Sequence, residues 1–281
     1  MSRRSLAALA ACALLALPAC SNGGAAPGPD EPTAAQRLAT AKQQADSASS
    51  VHLLVTSRDV PDTAEGILGL DGVGTHEPAF KGLLDARVRG INARIDAVAI
   101  GSALWLKLPF TPRHVKTDPA TWGVPSPAQL LSPETGLTAL ITHTQSPQDA
   151  GQAREGQEVL RTITGTIPGA NVGQILNTGD PNGTYQVSYG LTEPDGVLRK
   201  ASITGPFFPG ATSSYDVVFD RYNEPVEINE PSDAQTSAPP GMPFPGGTGT
   251  LAPGPPTATV TAKPARPTPT GTQSIGPADP P

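Results

Sequence analysis

The sequence has few cysteines, few aromatic residues and little charge, and these shortages exclude several classes of protein. Aromatic residues make up 4% and charged residues 16% of its 281 residues. A chain of this composition is neither a highly charged disordered protein nor one with an aromatic-rich enzyme core. Its net charge of -6 at pH 7 leaves no surplus of cations for phosphate groups, so we expect no nucleic-acid partner.

Residue types that could support catalysis or metal binding do not form a recognisable motif. The sequence has neither a G-x-S-x-G nucleophile motif nor a phosphate-binding glycine loop. Asp216 and Asp220 share one face of a predicted strand, which we interpret as a polar outer face and not as a catalytic pair. The histidines lack the spacing of metal ligands, and we expect each at a solvated or edge position. They are His52, His76, His114 and His143. We therefore expect no catalytic residue, no metal site and no cofactor.

The N-terminus has the pattern of a secretory signal peptide. Arg3 and Arg4 precede an apolar run, Leu6–Leu17, whose twelve residues are too few to span a bilayer of roughly 30 Å as a helix. We therefore predict a signal peptide over residues 1–19.

The four residues Leu17-Pro18-Ala19-Cys20 resemble the lipobox of bacterial lipoproteins. In those proteins a diacylglyceryl group is attached to the cysteine sulfur, and cleavage leaves the cysteine as the first residue. Because Cys12 lies in the removed segment, Cys20 would otherwise be a lone thiol in an oxidising compartment. We predict that Cys20 is lipidated, with acyl groups such as palmitate that hold the protein on the outer face of the cell membrane. The alternative is ordinary cleavage near Ala19 and an unmodified Cys20.

Two segments of low complexity flank one predicted domain. Residues 20–32 are mostly small residues, Gly and Pro, and predict a flexible tether after the lipidated N-terminus. Residues 231–281 contain 14 prolines and predict a disordered Pro-rich tail, because such a segment cannot form a core. The remaining residues, 33–230, suffice for one domain with a sizeable core.

The predicted domain begins with a helix and continues as strands. Thr33 and Gln36 have the spacing of a capping box, and small apolar residues then recur at helical spacing. Short turns separate the predicted strands and favour an antiparallel meander. These strands are Val51–Thr56, Ile67–Gly74, Leu83–Val88, Ala93–Ile100, Ala103–Leu108, Gln157–Ile167, Tyr185–Leu191, Val197–Thr204, Tyr215–Tyr222 and Val226–Ile228.

Helix-start signals interrupt the strands in the middle of the domain. Ser126-Pro127 and Ser132-Pro133-Glu134 each place a capping hydroxyl before a proline, as at the first turn of a helix. A third short helix is predicted over Pro168–Leu176. The sequence therefore predicts an α+β fold in which one curved antiparallel sheet packs against an N-terminal helix and a small group of apolar helices.

Four segments of the predicted domain, together with the lipobox, follow the pattern of a known lipoprotein family. They are Ser50–Thr56, Leu104–Leu108, Leu130–Leu137 and Glu158–Gly165. The most specific part is Leu131–Leu137, with an aliphatic residue, a polar residue, Pro, an acid, Thr, Gly and Leu in that order. On these segments the chain resembles the LppX/LprG (LppX_LprAFG) family of mycobacterial and related actinobacterial lipoproteins, over nearly all of residues 33–230.

The resemblance implies a fold and a function. The fold is a half-barrel sheet of the LolA/LppX type, wrapped around helices with an apolar cavity between them. The cavity holds the acyl chains of envelope lipids, which in this family are triacylated glycolipids, lipoglycans or triacylglycerol. Such proteins are implicated in moving lipids outward from the plasma membrane, and some are paired with a major-facilitator transporter. We therefore expect a membrane-anchored lipid carrier of the cell envelope that is not an enzyme.

A lipid carrier needs an inward face of aliphatic side chains and no unsatisfied polar groups. The residues predicted to line the cavity are Leu104, Leu106, Leu108, Leu130, Leu131, Leu137, Leu140, Ile141, Val159, Ile163, Val172, Ile175 and Leu176. The alternative is that these residues pack on one another. The chain would then be a structural or sensory surface lipoprotein with a solid core, whose tail engages the cell wall or a protein partner. A hydrolase of unrecognised type is a third alternative.

Overall fold

The computed structural model describes residues 31–88, 90–119, 126–174 and 179–235, which lie within a compact unit of residues 1–247. Among these residues, eleven strands form one sheet. The strands are β1 (Ser50–Arg58), β2 (Gly66–Thr75), β3 (Ala79–Val88), β4 (Ile91–Ile100), β5 (Ala103–Lys107), β6 (Val115–Thr117), β7 (Gln145–Glu155), β8 (Glu158–Pro168), β9 (Thr184–Thr192), β10 (Leu198–Phe208) and β11 (Ala211–Asp220). The helices are α1 (Ala34–Asp46), α2 (Ala139–Thr142) and α3 (Gly169–Gly173), with a 3₁₀ turn at Pro127–Gln129.

The sheet consists of two antiparallel meanders joined at its centre. Its strand order is β6-β5-β4-β3-β2-β1-β11-β10-β9-β8-β7. The joint is the pairing of β1 with β11, in which Leu53 lies opposite Phe219 and Val55 opposite Val217. The sheet curves but does not close, so it forms a half-barrel, and the predicted fold class is confirmed.

The first helix lies on the concave face because its sequence presents a narrow apolar stripe. The predicted capping box is present, with Thr33 accepting from the backbone N–H of Gln36 while the Gln36 side chain accepts from the N–H of Thr33. Leu38, Ala41 and Ala45 are buried. Small side chains allow close approach to the sheet, and α1 contacts α2, β7 and β10.

The strands bury one face by alternation, as expected for a sheet covered on one side. Inward residues from both meanders join one apolar core. Central members of this core are Val51, Leu53, Phe80, Leu84, Ala97, Leu104, Ile163, Ile167, Tyr185, Leu191 and Phe219, each at most 5% exposed. In the first meander the ring of Phe80 fills the space over Gly72, where a Cβ atom would be 2.6 Å from it.

Two strands and the end of the domain differ from the sequence prediction. β6 and β7 are the edge strands, and neither was predicted because their residues do not alternate between polar and apolar. β7 is mostly exposed and carries Gly151 at φ 94° with register shifts against β8, features that protect a sheet edge from further pairing. The predicted strand Val226–Ile228 is wrong, because these residues form no strand.

The segment after β11 crosses to the far edge of the sheet. Gln235 forms a parallel bridge with Val115 of β6, and a carboxylate oxygen of Asp233 lies 2.7 Å from Nδ1 of His114. The ordered contacts of the domain therefore extend five residues beyond the predicted boundary at Glu230. Residues 236–281, most of the predicted tail, lie outside the described residues.

The predicted helices in the middle of the chain are only partly present. The segment Ser132–Glu134 forms turns in place of a helix, and the hydroxyl of Ser132 accepts from the backbone N–H of Thr135. The third helix is shorter than predicted and ends at Gly173. Pro206, predicted to lie between two strands, continues β10.

Two histidines are buried. The predicted solvated or edge position is wrong for His52, which lies in the central strand β1, whereas His114 directly precedes the edge strand β6. His52 is 8% exposed on the convex face, with its ring nitrogens 2.6 Å and 2.9 Å from carboxylate oxygens of Asp220 and Asp71. His114, also 8% exposed, lies between Asp233 and Asp96. The contacts of each histidine with its aspartates join segments that are distant in sequence. In the described ranges, no group of three His, Cys, Asp or Glu residues could hold a metal ion.

We expect Gly72→Ala to lower the free energy of unfolding by about 2 kcal/mol, because the new methyl group would overlap the Phe80 ring and the carbonyl oxygen of Lys81. Gly173→Ala is the control, since no atom lies within 4 Å of a Cβ atom at that position. Urea unfolding of both variants measures the difference. Equal stabilities would show that the concave face over Gly72 is not packed as described.

Candidate functional site

A narrow apolar cavity lies on the concave face of the second meander. Its free volume is about 60 Å³. Strands β1, β9, β10 and β11 form one wall, and α2 with the residue before its N-cap forms the other. The lining residues are Val55, Leu137, Leu140, Ile141, Val187, Tyr189, Leu198, Ala201, Ser202, Ile203, Tyr215, Val217 and Phe219. From Leu198 to Ile203 the wall follows β10 for roughly 16 Å at the usual rise per residue, so the cavity is long and thin.

The hydroxyl groups of the two tyrosines in the wall are bonded within the protein. The hydroxyl groups of Tyr189 and Thr144 lie 2.9 Å apart, and the hydroxyl of Tyr215 donates to the carbonyl oxygen of Ile67 at 3.4 Å. Burial raises the pKa of Tyr189 to about 12, against a smaller lowering by the bond to Thr144, and burial also raises the pKa of Tyr215. Both phenols therefore stay neutral at physiological pH, and the cavity is suited to an apolar guest.

We call residues 126–144 the covering segment, because they lie over the concave face and place α2 on the cavity. Ser126 caps the 3₁₀ turn at Pro127–Gln129 by accepting from the N–H of Ala128. The chain then folds back on itself, with the N–H of Leu137 donating to the carbonyl of Leu130 at 2.9 Å. This reversal directs the next residues towards the sheet. Leu131 occupies the space above Gly74 in the first meander.

Polar contacts join the covering segment to α1. The hydroxyl of Thr138 donates to a carboxylate oxygen of Asp46 at 2.7 Å, and Nζ of Lys42 donates to the carbonyl oxygen of Pro133 at 2.9 Å. Thr138 is only 2% exposed. The position of α2 over the cavity therefore depends on the C-terminal turn of α1.

A charged cluster lies beside the N-terminal half of α1. The guanidinium of Arg161 on β8 donates to Glu193 and, at 2.6 Å, to Asp149, while Arg37 on α1 lies 3.7 Å from Glu193. Burial tends to raise the pKa of Asp149, but hydrogen bonds from Gly151 and Arg161 outweigh it and the pKa falls below its usual value. Asp149 therefore stays ionised at neutral pH, and the cluster joins α1 to the sheet.

The predicted lining residues divide into three groups in the structure. Leu137, Leu140 and Ile141 line the cavity. Other predicted residues belong to the surrounding core without lining it: Leu104, Leu106, Leu131, Ile163 and Val172 are buried, and Leu108 and Leu130 pack half-buried against them. Val159 is half-buried beside Glu193 in a surface recess. Ile175 and Leu176 lie outside the described residues, as does the predicted lipidation site, Cys20.

Most of the sheet wall was not among the residues predicted to line the cavity. The signal was present, because Tyr185–Leu191 and Tyr215–Phe219 alternate between apolar and polar residues along each strand. Alternation shows which residues share a face but not which strand they pair with. The pairing of Ile203 with Tyr215 and Val187 is what assembles this wall.

Comparison with known proteins identifies relatives along most of the chain. Residues 33–228 match the family described as LppX_LprAFG lipoprotein. The lipoarabinomannan carrier protein LprG of Mycobacterium tuberculosis strain H37Rv is 24% identical over 233 residues, which is 81% of this chain and 95% of LprG. LprG of Mycobacterium bovis aligns with the same identity and coverage.

Two solved structures show the same fold. The crystal structure of LprF from Mycobacterium bovis has a TM-score of 0.57 at 19% identity, covering 70% of this chain and 96% of LprF. The lipoprotein LppX of Mycobacterium tuberculosis has a TM-score of 0.53 at 19% identity, covering 70% of this chain and 98% of LppX.

We expect Thr138→Val to lower the free energy of unfolding by about 2 kcal/mol, because it leaves the part-buried carboxylate of Asp46 without this donor. Thr142→Val is the matched control, since Thr142 is exposed and its hydroxyl donates only to the Ala139 carbonyl. Hydrogen exchange at residues 137–141 should also become faster in Thr138→Val alone. If the two variants behave alike, α1 does not hold the covering segment in place.

Proposed function

Because the chain belongs to the LppX_LprAFG lipoprotein family, we propose that its domain binds the acyl chains of envelope lipids and carries or presents them in the cell envelope. The observation that carries this proposal is the apolar cavity between α2 and strands β1, β9, β10 and β11, whose two tyrosine hydroxyls are bonded within the protein. Family membership alone would not support it, since a solid interior would leave no place for a guest.

The energetics favour a hydrocarbon guest over a polar one. Transfer of one sixteen-carbon chain from water into such a site removes about 15 methylene groups from water, which is worth about 12 kcal/mol before the costs of ordering. The two tyrosine hydroxyls of the wall are already engaged, so the hydroxyl of Ser202 is the one other side-chain polar group among the lining residues. We therefore assign no catalytic role to the cavity.

The volume of the cavity requires the covering segment to move when lipid binds. A space of roughly 150 Å³ is needed for a guest as small as benzene, whereas this cavity has about 60 Å³. We propose that α2 moves away from the sheet to admit an acyl chain. Helix α2 has only four residues, and few polar contacts join the covering segment to α1. We therefore propose that the covering segment is the part that moves.

The name of one relative supports a class of lipid. LprG is named as a carrier of lipoarabinomannan, a lipoglycan. We propose that the ligand here is an acylated lipoglycan, a triacylated glycolipid or triacylglycerol, since the cavity recognises acyl chains while a head group would remain outside.

We further propose that acylation of Cys20 anchors the protein to the outer face of the cell membrane, where a major-facilitator transporter is the candidate donor of lipid. Membership in a lipoprotein family supports the anchor. No helix in the described parts of the chain is long and apolar enough to span a bilayer.

A second function is favoured by one observation, the small volume of the cavity. If α2 does not move, the chain is a structural or sensory lipoprotein with a solid core. A lipid-binding measurement separates the two.

We expect Ile203→Trp to abolish lipid binding, because the indole would fill the cavity. Native mass spectrometry of the chain from residue 20 onward, with Cys20→Ser and after incubation with a triacylglycerol, should show lipid adducts for the parent protein. Adducts should fall at least about tenfold in Ile203→Trp, in line with the loss of a few buried methylenes.

Leu54→Trp is the matched control, since Leu54 is 38% exposed on the opposite face of the sheet, and its adducts should persist. Ala201→Phe adds bulk at a half-buried lining position and repeats the test if Ile203→Trp does not fold. A bare mass for the parent protein would reject the carrier and support the solid core, whereas undiminished adducts in both filled variants would reject this cavity as the lipid site.

A further inference from the structure

Two large apolar side chains protrude from one end of the sheet. Phe110 is fully exposed, at 106%, and Ile91 is 70% exposed. Among the described residues, the other exposed large apolar side chains, such as Leu54 and Val226, are exposed by less than 40%. An exposed phenyl ring and an exposed branched side chain are unfavourable in water unless something covers them.

The topology of the sheet places these two residues at the same end of it. Asp96 on β4 lies opposite Lys107 on β5. Ile91 begins β4 five residues before Asp96, and Phe110 lies in the turn that follows the end of β5 at Lys107. Both therefore lie at the end of the sheet where β4 begins and β5 ends, which we call the tip.

The backbone around Phe110 holds its ring outward. Phe110 has φ 70°, a conformation that is strained for an aromatic residue. The turn is fixed because both the N–H and the hydroxyl of Thr111 donate to the carbonyl oxygen of Leu108, and Leu108 packs against the core. A strained conformation that exposes an aromatic ring indicates a function for the exposed ring.

We propose that Phe110 and Ile91 dock this end of the sheet onto a lipid bilayer by inserting into its acyl region. The small apolar area of the tip favours a bilayer over a protein partner. Two side chains bury at most about 400 Å², about half of the 800 Å² per partner that a stable protein interface needs. A bilayer requires only that a few side chains reach the hydrocarbon.

The charges around the tip fit a membrane interface. Arg94 and Arg113 are exposed at this end of the sheet, where Arg94 lies 3.4 Å from Asp85, and Asp62 and Glu65 of the β1–β2 loop are also exposed. The mixed charge gives little net attraction to anionic lipid, so the apolar side chains supply the affinity. The cavity wall approaches this end as well, because Val55 lies three residues before the end of β1.

Vesicle flotation tests the docking surface. The helices and strands of the described fold lie between residues 34 and 220, so the chain from residue 20 onward with Cys20→Ser retains them without an acyl anchor. This protein should float with phosphatidylcholine vesicles. Phe110→Ser should reduce the partition coefficient about tenfold, and the double variant with Ile91→Thr should abolish flotation.

Leu54→Thr is the control, because it removes an exposed apolar side chain from the convex face and should leave flotation unchanged. A third test is Phe110→Trp, whose emission should shift to shorter wavelength on addition of vesicles, whereas Leu54→Trp should show no shift. Undiminished flotation of the double variant, or an equal loss in Leu54→Thr, would overturn the proposal. So would a dimer of the parent protein that Phe110→Ser dissociates, since the tip would then bind a second copy.

The docking surface does not depend on the cavity, because neither Phe110 nor Ile91 lines it. Phe110→Ser should retain the lipid adducts that Ile203→Trp loses. The two proposals can therefore fail separately.

Discussion

The constraint on which the structure depends is the need to cover the concave face of an open sheet. A closed barrel buries its inner face by itself, but this sheet is open at β6 and β7, so its apolar inner residues need another layer. Helix α1 and residues 126–144 provide that layer. This layer contacts the two meanders differently. Phe80 and Leu131 fill the space over the first meander, whereas a narrow cavity remains between the second meander and α2.

Within this layer, α1 and α2 are held to the sheet by different contacts. The first helix, α1, is held on the sheet by the charged cluster around Arg161 and by its own stripe of apolar side chains. Fewer polar contacts hold α2. The side chains of α2 that line the cavity contact the sheet only through apolar surface. Lipid binding would then exchange contacts with α2 for contacts with an acyl chain, at little cost in polar groups.

Much of the fold could be predicted from the sequence, but less of the cavity. Alternation along Tyr185–Leu191 and the capping box at Thr33 depend on local sequence and were confirmed. The polar edge strand β7 and the burial of His52 between two distant aspartates depend on pairing across the sheet, which local patterns do not contain. The same limit applies to Ile203 and Tyr215, whose pairing assembles the cavity wall.

The most direct test of the central claim is a crystal structure of the domain with a lipid whose acyl chain carries bromine. The account predicts anomalous density between Ile141 and Ile203, with α2 displaced from its position over the cavity. Bromine found only on the outer surface, with α2 unmoved and the space between these two residues unchanged, would contradict it.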